Sequence, residues 1–145
     1  MADFKKLHVW QKAHTLAVET NDVCASLRGP AHTSLRSQTV RAAMSIDANI
    51  AEGRGPRTDR EFLRYLNIAI NSANELESHL LMARDTAALP KADCLMLLEK
   101  LIEVRKMLFG LANRVQEGLN KSQQAPHDPP LARSSVLQSC ELTAR

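Results

Sequence analysis

The chain has 145 residues, of which 44% are hydrophobic and only 3% aromatic, and its formal net charge is +3. This length can bury a core of its own, and a core of aliphatic residues and alanine suits helix-on-helix packing better than a β-sandwich. The net charge is too small to indicate nucleic-acid binding by its sum. We therefore expect an all-α protein in which the placement of the charges matters more than their total.

The three cysteines, Cys24, Cys94 and Cys140, stand far apart and show no metal-ligand spacing, so we expect free buried thiols in a reducing compartment. The first residues lack the apolar run of a signal peptide, and no window approaches the ~18 apolar residues of a membrane span. These features predict a cytoplasmic protein without a membrane partner.

The first two helices are predicted over residues 6–27 and 34–52. Gly29 and Pro30 end the first helix, and Thr33 or Ser34 can cap the start of the second. The second helix is expected to end on Gly53, which can adopt the left-handed conformation that closes a helix.

A third helix is predicted over residues 59–87. Thr58 and Glu61 have the spacing of a capping box, and they follow a tight basic turn after Gly53. This turn predicts an antiparallel helix pair. Apolar residues then recur in steps of four and three, the pattern of a seam between helices that cross at a shallow angle: Phe62, Leu66, Ala69, Ala73, Leu76, Leu80 and Ala83.

A fourth helix is predicted over residues 91–121, after Pro90. It carries two apolar rows. One consists of Leu97, Leu101, Val104, Leu108, Leu111 and Val115, and the other of Leu95, Leu98, Ile102, Phe109, Ala112 and Leu119. The second row indicates either contact with another subunit or one broad core-facing stripe.

Together these elements predict an antiparallel up-down-up-down four-helix bundle over residues 1–121. Residues 122–145 are rich in proline and lack helical periodicity, so we expect a flexible tail, in which residues 135–142 could form a helical turn against a partner.

The chain shows no catalytic constellation, phosphate loop or dinucleotide fingerprint, so we expect a non-enzymatic protein without a cofactor. Glu75, Glu77 and His79 are the only candidates for a metal or small-molecule site. Glu52 would lie about 25 Å from Glu75 along the helix pair, too far to complete that site. Solvated or helix-to-helix polar contacts are the simpler interpretation of the three residues.

Basic residues gather at one end of the predicted bundle, where nine basic side chains stand against five acidic ones. Such a surface could hold phosphate backbones without reading sequence. Alternatively, the arginines could satisfy local carboxylates such as Glu52. The candidate nucleic-acid contacts are Lys5, Lys6, Arg54, Arg57, Arg60 and Arg64.

Several segments occur in order along the chain at helical spacing: Leu7-His-Val-Trp10-Gln-Lys-Ala13, Gln38-Thr-Val-Arg41-Ala-Ala-Met-Ser-Ile46, Asn49-Ile-Ala-Glu-Gly53, Glu61-Phe62 and Ser72-Ala-Asn-Glu75-Leu-Glu77. In this order they resemble the 23S rRNA intervening-sequence protein family over about residues 4–120. The resemblance implies a four-helix bundle that assembles into a ring-like homo-oligomer, with five subunits expected. The family is also similar to accessory proteins of diversity-generating retroelements, which implies RNA or DNA as a further partner.

The motif residues Ser45, Asn49 and Glu52 form a polar line on an otherwise apolar helix, and Glu75 belongs to the facing motif. Buried polar groups need partners and can fix the register of a bundle. We expect Asn49 to bond to the third helix or to a neighbouring subunit, and Glu52 to pair with an arginine of the turn. The sequence thus predicts a homo-oligomeric scaffold with a basic end that could bind nucleic acid; a metal- or ligand-binding bundle is the alternative.

Overall fold

The computed structural model describes residues 3–55 and 57–124, and over these residues the chain is all-α. Four helices, α1 (His8–Cys24), α2 (Thr33–Gly53), α3 (Asp59–Asp85) and α4 (Lys91–Gln124), follow one another without a strand between them. Two 3-10 turns, Phe4–Lys6 and Pro30–His32, precede α1 and α2. None of the described helices has a stretch long and apolar enough to cross a bilayer.

The helix ends differ from the expected ones by a few residues. Lys6 belongs to the first 3-10 turn, which the Asp3 carboxylate caps by accepting from the Lys5 N–H at 3.1 Å, so α1 begins only at His8. Leu27 lies beyond the end of α1 and is nevertheless buried. At the other terminus, α4 continues through Ser122 to Gln124, where the tail was expected. The rest of that tail lies outside the described residues.

Gly53 does not adopt the left-handed conformation that the sequence analysis expected. It is the last residue of α2, and Arg54 follows with φ −82° and an N–H bonded to the Ile50 carbonyl at 3.1 Å. Glycine is required there for space, because a Cβ at this position would fall 2.6 Å from the Cβ of Tyr65. The end of α2 and the first turns of α3 therefore approach closely.

The start of α3 follows the prediction. Thr58 Oγ1 accepts from the Glu61 N–H at 3.2 Å, and the Glu61 carboxylate accepts from the Thr58 N–H at 3.1 Å, which forms the capping box. The predicted seam of α3, from Phe62 to Ala83, is buried along its whole length. Because each seam residue is removed from water, α3 is held mainly by its apolar face.

The helices contact one another in cyclic order: α1 with α2, α2 with α3, α3 with α4, and α4 with α1. In the described residues the backbones of α1 and α3, and those of α2 and α4, do not approach each other closely, so each helix packs between two neighbours around one shared core. The edge between α1 and α2 is therefore across the core from the edge between α3 and α4.

A smaller apolar cluster closes the end of the bundle where α1 stops and α4 begins. It contains Cys24, Leu27, Ala83, Leu89 and Cys94. Both cysteines are free and buried, as predicted, and burial raises the pKa of the Cys24 thiol to about 11. Cys140 lies outside the described residues.

Candidate functional site

The turn between α2 and α3 is held by Arg57, one of the predicted basic contacts. Its guanidinium bonds to the Glu52 carboxylate and lies 3.7 Å from a Glu61 oxygen, and its Nε donates to the Glu52 carbonyl at 3.3 Å. The bond to Glu52 raises the pKa of Arg57 above its ordinary value. Glu52 thus pairs with an arginine of the turn, as expected, and Arg57 is engaged within the chain.

The other arginines of the turn contact aromatic rings. Arg54 lies over Phe62, with its Cζ 5.5 Å from the ring centre, and its buried Nε has no hydrogen-bond partner among the described residues. Arg57 and Arg64 each lie 5.1 Å from the ring centre of Tyr65. The face of Tyr65 is therefore engaged by arginines, which reduces its use for stacking on a nucleic-acid base.

Five of the six predicted basic contacts have no carboxylate partner in the described residues: Arg54, which lies over Phe62, and four exposed side chains. Lys5, Lys6, Arg60 and Arg64 are exposed, and no acidic oxygen of residues 3–55 or 57–124 lies within salt-bridge distance of them. The 3-10 turn that carries the two lysines contacts α2. Phe4 of that turn shares a groove with Ala51, one turn of helix before Arg54. These contacts bring the two lysines toward the end of α2 that leads into the basic turn.

The polar line of α2 is bonded to α3 through Ser45 and not through Asn49. Asn49 Nδ2 donates to the Ser45 carbonyl at 2.7 Å and lies 3.0 Å from Ser45 Oγ. Ser45 Oγ lies 2.8 Å from Ser72 Oγ, and Ser72 Oγ donates to the Ile68 carbonyl at 3.0 Å. Since each hydroxyl has one proton, the chain of donors runs from Asn49 to Ser45 to Ser72 to Ile68.

The candidate ligand residues on α3 do not converge. Glu77 bonds to Arg105 of α4, and this hydrogen bond lowers the pKa of the Glu77 carboxyl below its ordinary value. Glu75 and His79 face each other at 3.5 Å one turn apart. Over residues 3–55 and 57–124, no group of three or more His, Cys, Asp or Glu side chains is arranged to hold a metal ion. Glu75, Glu77 and His79 therefore do not form a metal site in the described part of the chain.

The second apolar row of α4 divides in two. Ala112 belongs to the core, whereas Leu95, Ile102 and Phe109 are exposed by 43%, 41% and 48%. These three side chains are seven residues apart, so they lie on one line along the outer surface of the helix. We refer to them as the α4 ridge.

An open groove of about 550 Å³ lies between α1 and α2, and the sequence analysis did not predict it. On its rim the rings of Trp10 and His14 stack at 4.8 Å, and His14 Nδ1 is 2.9 Å from an Asp47 carboxylate oxygen. His14 and Asp47 are 33 residues apart, so no local pattern could have paired them. The residues of this α1/α2 groove are Phe4, Trp10, His14, Ala17, Val18, Asn21, Met44, Asp47, Ala48 and Ala51.

Both the fold and the sequence of this chain are similar to those of known proteins. The chain is similar to a crystal structure from Bacteroides thetaiotaomicron, described as a protein with unknown function from the S23 ribosomal protein family, with 26% identity and a TM-score of 0.68. The similarity covers 72% of this chain and 97% of that one. No curated protein matches the chain. The sequence model of the family described as 23S rRNA-intervening sequence protein matches residues 5–110. This match covers more than half of the chain and confirms the resemblance seen in the motifs, so the chain belongs to the 23S rRNA-intervening sequence protein family.

Proposed function

We propose that this chain is a non-enzymatic, homo-oligomeric helical scaffold whose basic end binds the phosphates of RNA or DNA. The observation that carries the proposal is a group of four exposed basic side chains near the basic turn that have no carboxylate partner within the described residues: Lys5, Lys6, Arg60 and Arg64. Unpaired cations on a surface are free to replace the counterions of a nucleic-acid backbone.

The proposal includes an antiparallel order of the helices, because this order brings the basic residues to one end. Gly53 is adjacent to Tyr65 while Ser45 bonds to Ser72, which supports opposite directions for α2 and α3. The pairs Lys12–Glu103 and Glu19–Lys100 support the same for α1 and α4. In this arrangement the start of α1, the turn after α2 and the end of α4 meet.

The nucleic acid would be held by charge and not by base recognition. Phe62 is buried beneath Arg54, and the Tyr65 ring is engaged by Arg57 and Arg64, so neither ring is free to stack on a base. Phosphate contacts fix position without carrying sequence information. We therefore expect binding that is independent of sequence and strongly dependent on salt.

The oligomer is supported by apolar side chains left exposed on the outside of the bundle, among them Ile102, Phe109 and Met44. A ring, with five subunits as the family resemblance implies, would cover such side chains and bring several basic ends together. The alternative of a metal- or ligand-binding bundle has no comparable support, because Glu77 is bonded to Arg105.

Fluorescence anisotropy with labelled duplexes of unrelated sequence tests the nucleic-acid function. If four phosphates are contacted, raising the salt concentration from 50 to 200 mM should weaken binding about 100-fold. The double variant Arg60→Glu/Arg64→Glu should bind more weakly and show a salt slope reduced by about two. Arg28→Glu is the matched control, because Arg28 is exposed in the loop after α1, away from the basic turn. Absence of binding at 50 mM salt, or equal binding by the double variant, would refute the function.

A further inference from the structure

The α4 ridge and the α1/α2 groove lie on opposite sides of the bundle. Ile102 and Phe109 flank Arg105, which reaches across to Glu77 and Asn74 of α3, so the ridge borders the α3/α4 edge. Lys100 and Glu103 are directed to α1 instead, where they pair with Glu19 and Lys12. Because the helices contact in cyclic order, the α3/α4 edge is the one farthest from the groove.

We propose that the α4 ridge of one chain docks into the α1/α2 groove of a second copy of the same chain. This inference rests on the homo-oligomer of the proposed function and specifies which surfaces join. The two surfaces differ in shape, since the ridge is a line of bulky side chains and the groove includes the small residues Ala17, Ala48 and Ala51 between larger ones. The contact is therefore head-to-tail, with different patches meeting.

The two surfaces have similar lengths. From Leu95 to Phe109 the ridge runs about 21 Å at 1.5 Å per residue. The part of the groove formed by α1, from Trp10 to Asn21, runs about 16 Å by the same measure. A helix laid along the groove thus brings the whole ridge into contact with it or its rim.

One pair of opposite charges favours the docking. Lys106 lies between Ile102 and Phe109 in sequence and is exposed, with no acidic oxygen of the described residues within salt-bridge distance. Among the described residues Asp47 is the one carboxylate of the groove lining, its side chain is 17% exposed, and the one basic group within salt-bridge distance of it is the exposed His14. Docking of the ridge brings the Lys106 ammonium toward the Asp47 carboxylate, which favours this partner over an uncharged helix.

The size of the contact favours a closed ring over an open pair. A ridge of this length on a helix about 10 Å wide has a footprint on the order of 200 Å², well below the roughly 800 Å² that each partner buries in a standard interface. One contact alone would be weak. In a ring every copy uses its ridge and its groove, so removal of one copy breaks two contacts.

Sedimentation velocity of the full chain and its variants tests the docking. Ile102→Glu places a charge on the α4 ridge, and Met44→Glu places a charge in the α1/α2 groove. Met82→Glu is the control, because Met82 and Met44 are both 56% exposed and Met82 belongs to neither surface. We expect the unchanged chain and Met82→Glu to form the same oligomer, and each of the other two variants to be monomeric.

The outcomes separate the docking from the scaffold. Survival of the oligomer in either Ile102→Glu or Met44→Glu would overturn the docking and leave the scaffold standing. A monomeric unchanged chain would overturn both. Should an apolar-to-charged variant fail to fold, Lys106→Glu serves instead: it should weaken assembly at least tenfold, and Asp47→Lys in the same chain should restore it. Absence of that rescue contradicts the docking.

Discussion

Gly53 at the end of α2 lies against Tyr65 of α3 so closely that a Cβ on Gly53 would fall 2.6 Å from the Tyr65 Cβ. The second obstacle, Phe62 Cδ2, would be 3.0 Å away. Because the Tyr65 Cβ is attached directly to the backbone, it cannot rotate out of the way. The separation of α2 and α3 at the basic end is therefore set by the absence of a side chain at residue 53.

Gly53→Ala is expected to destabilise the chain by about 1–3 kcal/mol, the usual effect of an overpacked contact. Gly118→Ala is the control, since a Cβ at that helical position would meet nothing within 4 Å. It should stabilise by about 0.5–1 kcal/mol. Urea unfolding at a fixed protein concentration measures both. Equal effects of the two substitutions would show that the close approach at Gly53 does not influence the free energy of unfolding.

The donor chain from Asn49 through Ser45 to Ser72 predicts a coupling between the two serines. Ser45→Ala leaves Asn49 and Ser72 each short of a partner in a half-buried place, so we expect a loss of about 1–2 kcal/mol. The double variant Ser45→Ala/Ser72→Ala should lose less than the sum of the single losses, by about 0.5–1 kcal/mol. Additive losses in a double-mutant cycle would mean that the hydroxyls act independently.

The pair of Glu77 with Arg105 predicts a pH dependence of stability. The bond to Arg105 lowers the pKa of Glu77 in the folded chain, so the pair stabilises the fold above the unfolded pKa of about 4.3 and loses this effect as the pH falls through the folded value. Glu77→Gln should therefore lower the free energy of unfolding by up to about 1 kcal/mol at pH 7.

The same substitution should have progressively less effect below pH 4, where the carboxyl of the unchanged chain becomes protonated. Urea unfolding at pH 7 and at pH 3 measures the difference. Glu99→Gln is the control, because Glu99 is exposed on α4 and forms no ion pair within the described residues. A loss for Glu77→Gln of the same size at both pH values would rule out the charge of Glu77 as its source.

Ala87, in the connection between α3 and α4, has φ of 54°, a conformation that costs an alanine roughly 1–2 kcal/mol. Ala87→Gly removes this strain but increases the freedom of the unfolded chain, so we expect a net stabilisation of up to about 1 kcal/mol. Ala92→Gly, in the first turn of α4, should instead destabilise by about 1 kcal/mol. Thermal unfolding distinguishes them, and a lower melting temperature for Ala87→Gly would contradict the prediction.

Local patterns predicted the elements that depend on local physics. The seam from Phe62 to Ala83 and the capping box of Thr58 and Glu61 use spacings of three and four residues, and both are present. Gly53 was identified as the end of α2 for the wrong reason, because a glycine required by a neighbouring helix has the same appearance in sequence as a glycine required by its own backbone.

The candidate surfaces were less accessible to sequence reasoning. Asn49 was expected to bond to α3 or to a neighbouring subunit, and within the described chain its amide donates to Ser45 of its own helix, while Ser45 contacts α3. The α1/α2 groove joins Trp10 and His14 to Met44 and Asp47, which only the packing of two helices brings together. The second row of α4 was recognisable in sequence, but only the fold shows that Ala112 is inside and Phe109 outside.

Three ion-paired residues, Lys100, Glu103 and Arg105, fall within six consecutive positions of α4. The core face of this helix repeats approximately every seven residues, so sliding α4 by seven would again set apolar side chains against the core. A slide in one direction would put Met107, Gly110 and Ala112 at the positions of the three ion-paired residues. A slide in the other direction would put Asp93, Met96 and Leu98 there. After the first slide, Glu19, Lys12 and Glu77 would have no charged partner on α4. After the second, Asp93 would lie beside Glu19, and the two negative charges would repel each other. The short charged segment thus gives an otherwise repetitive helix a single alignment in the bundle.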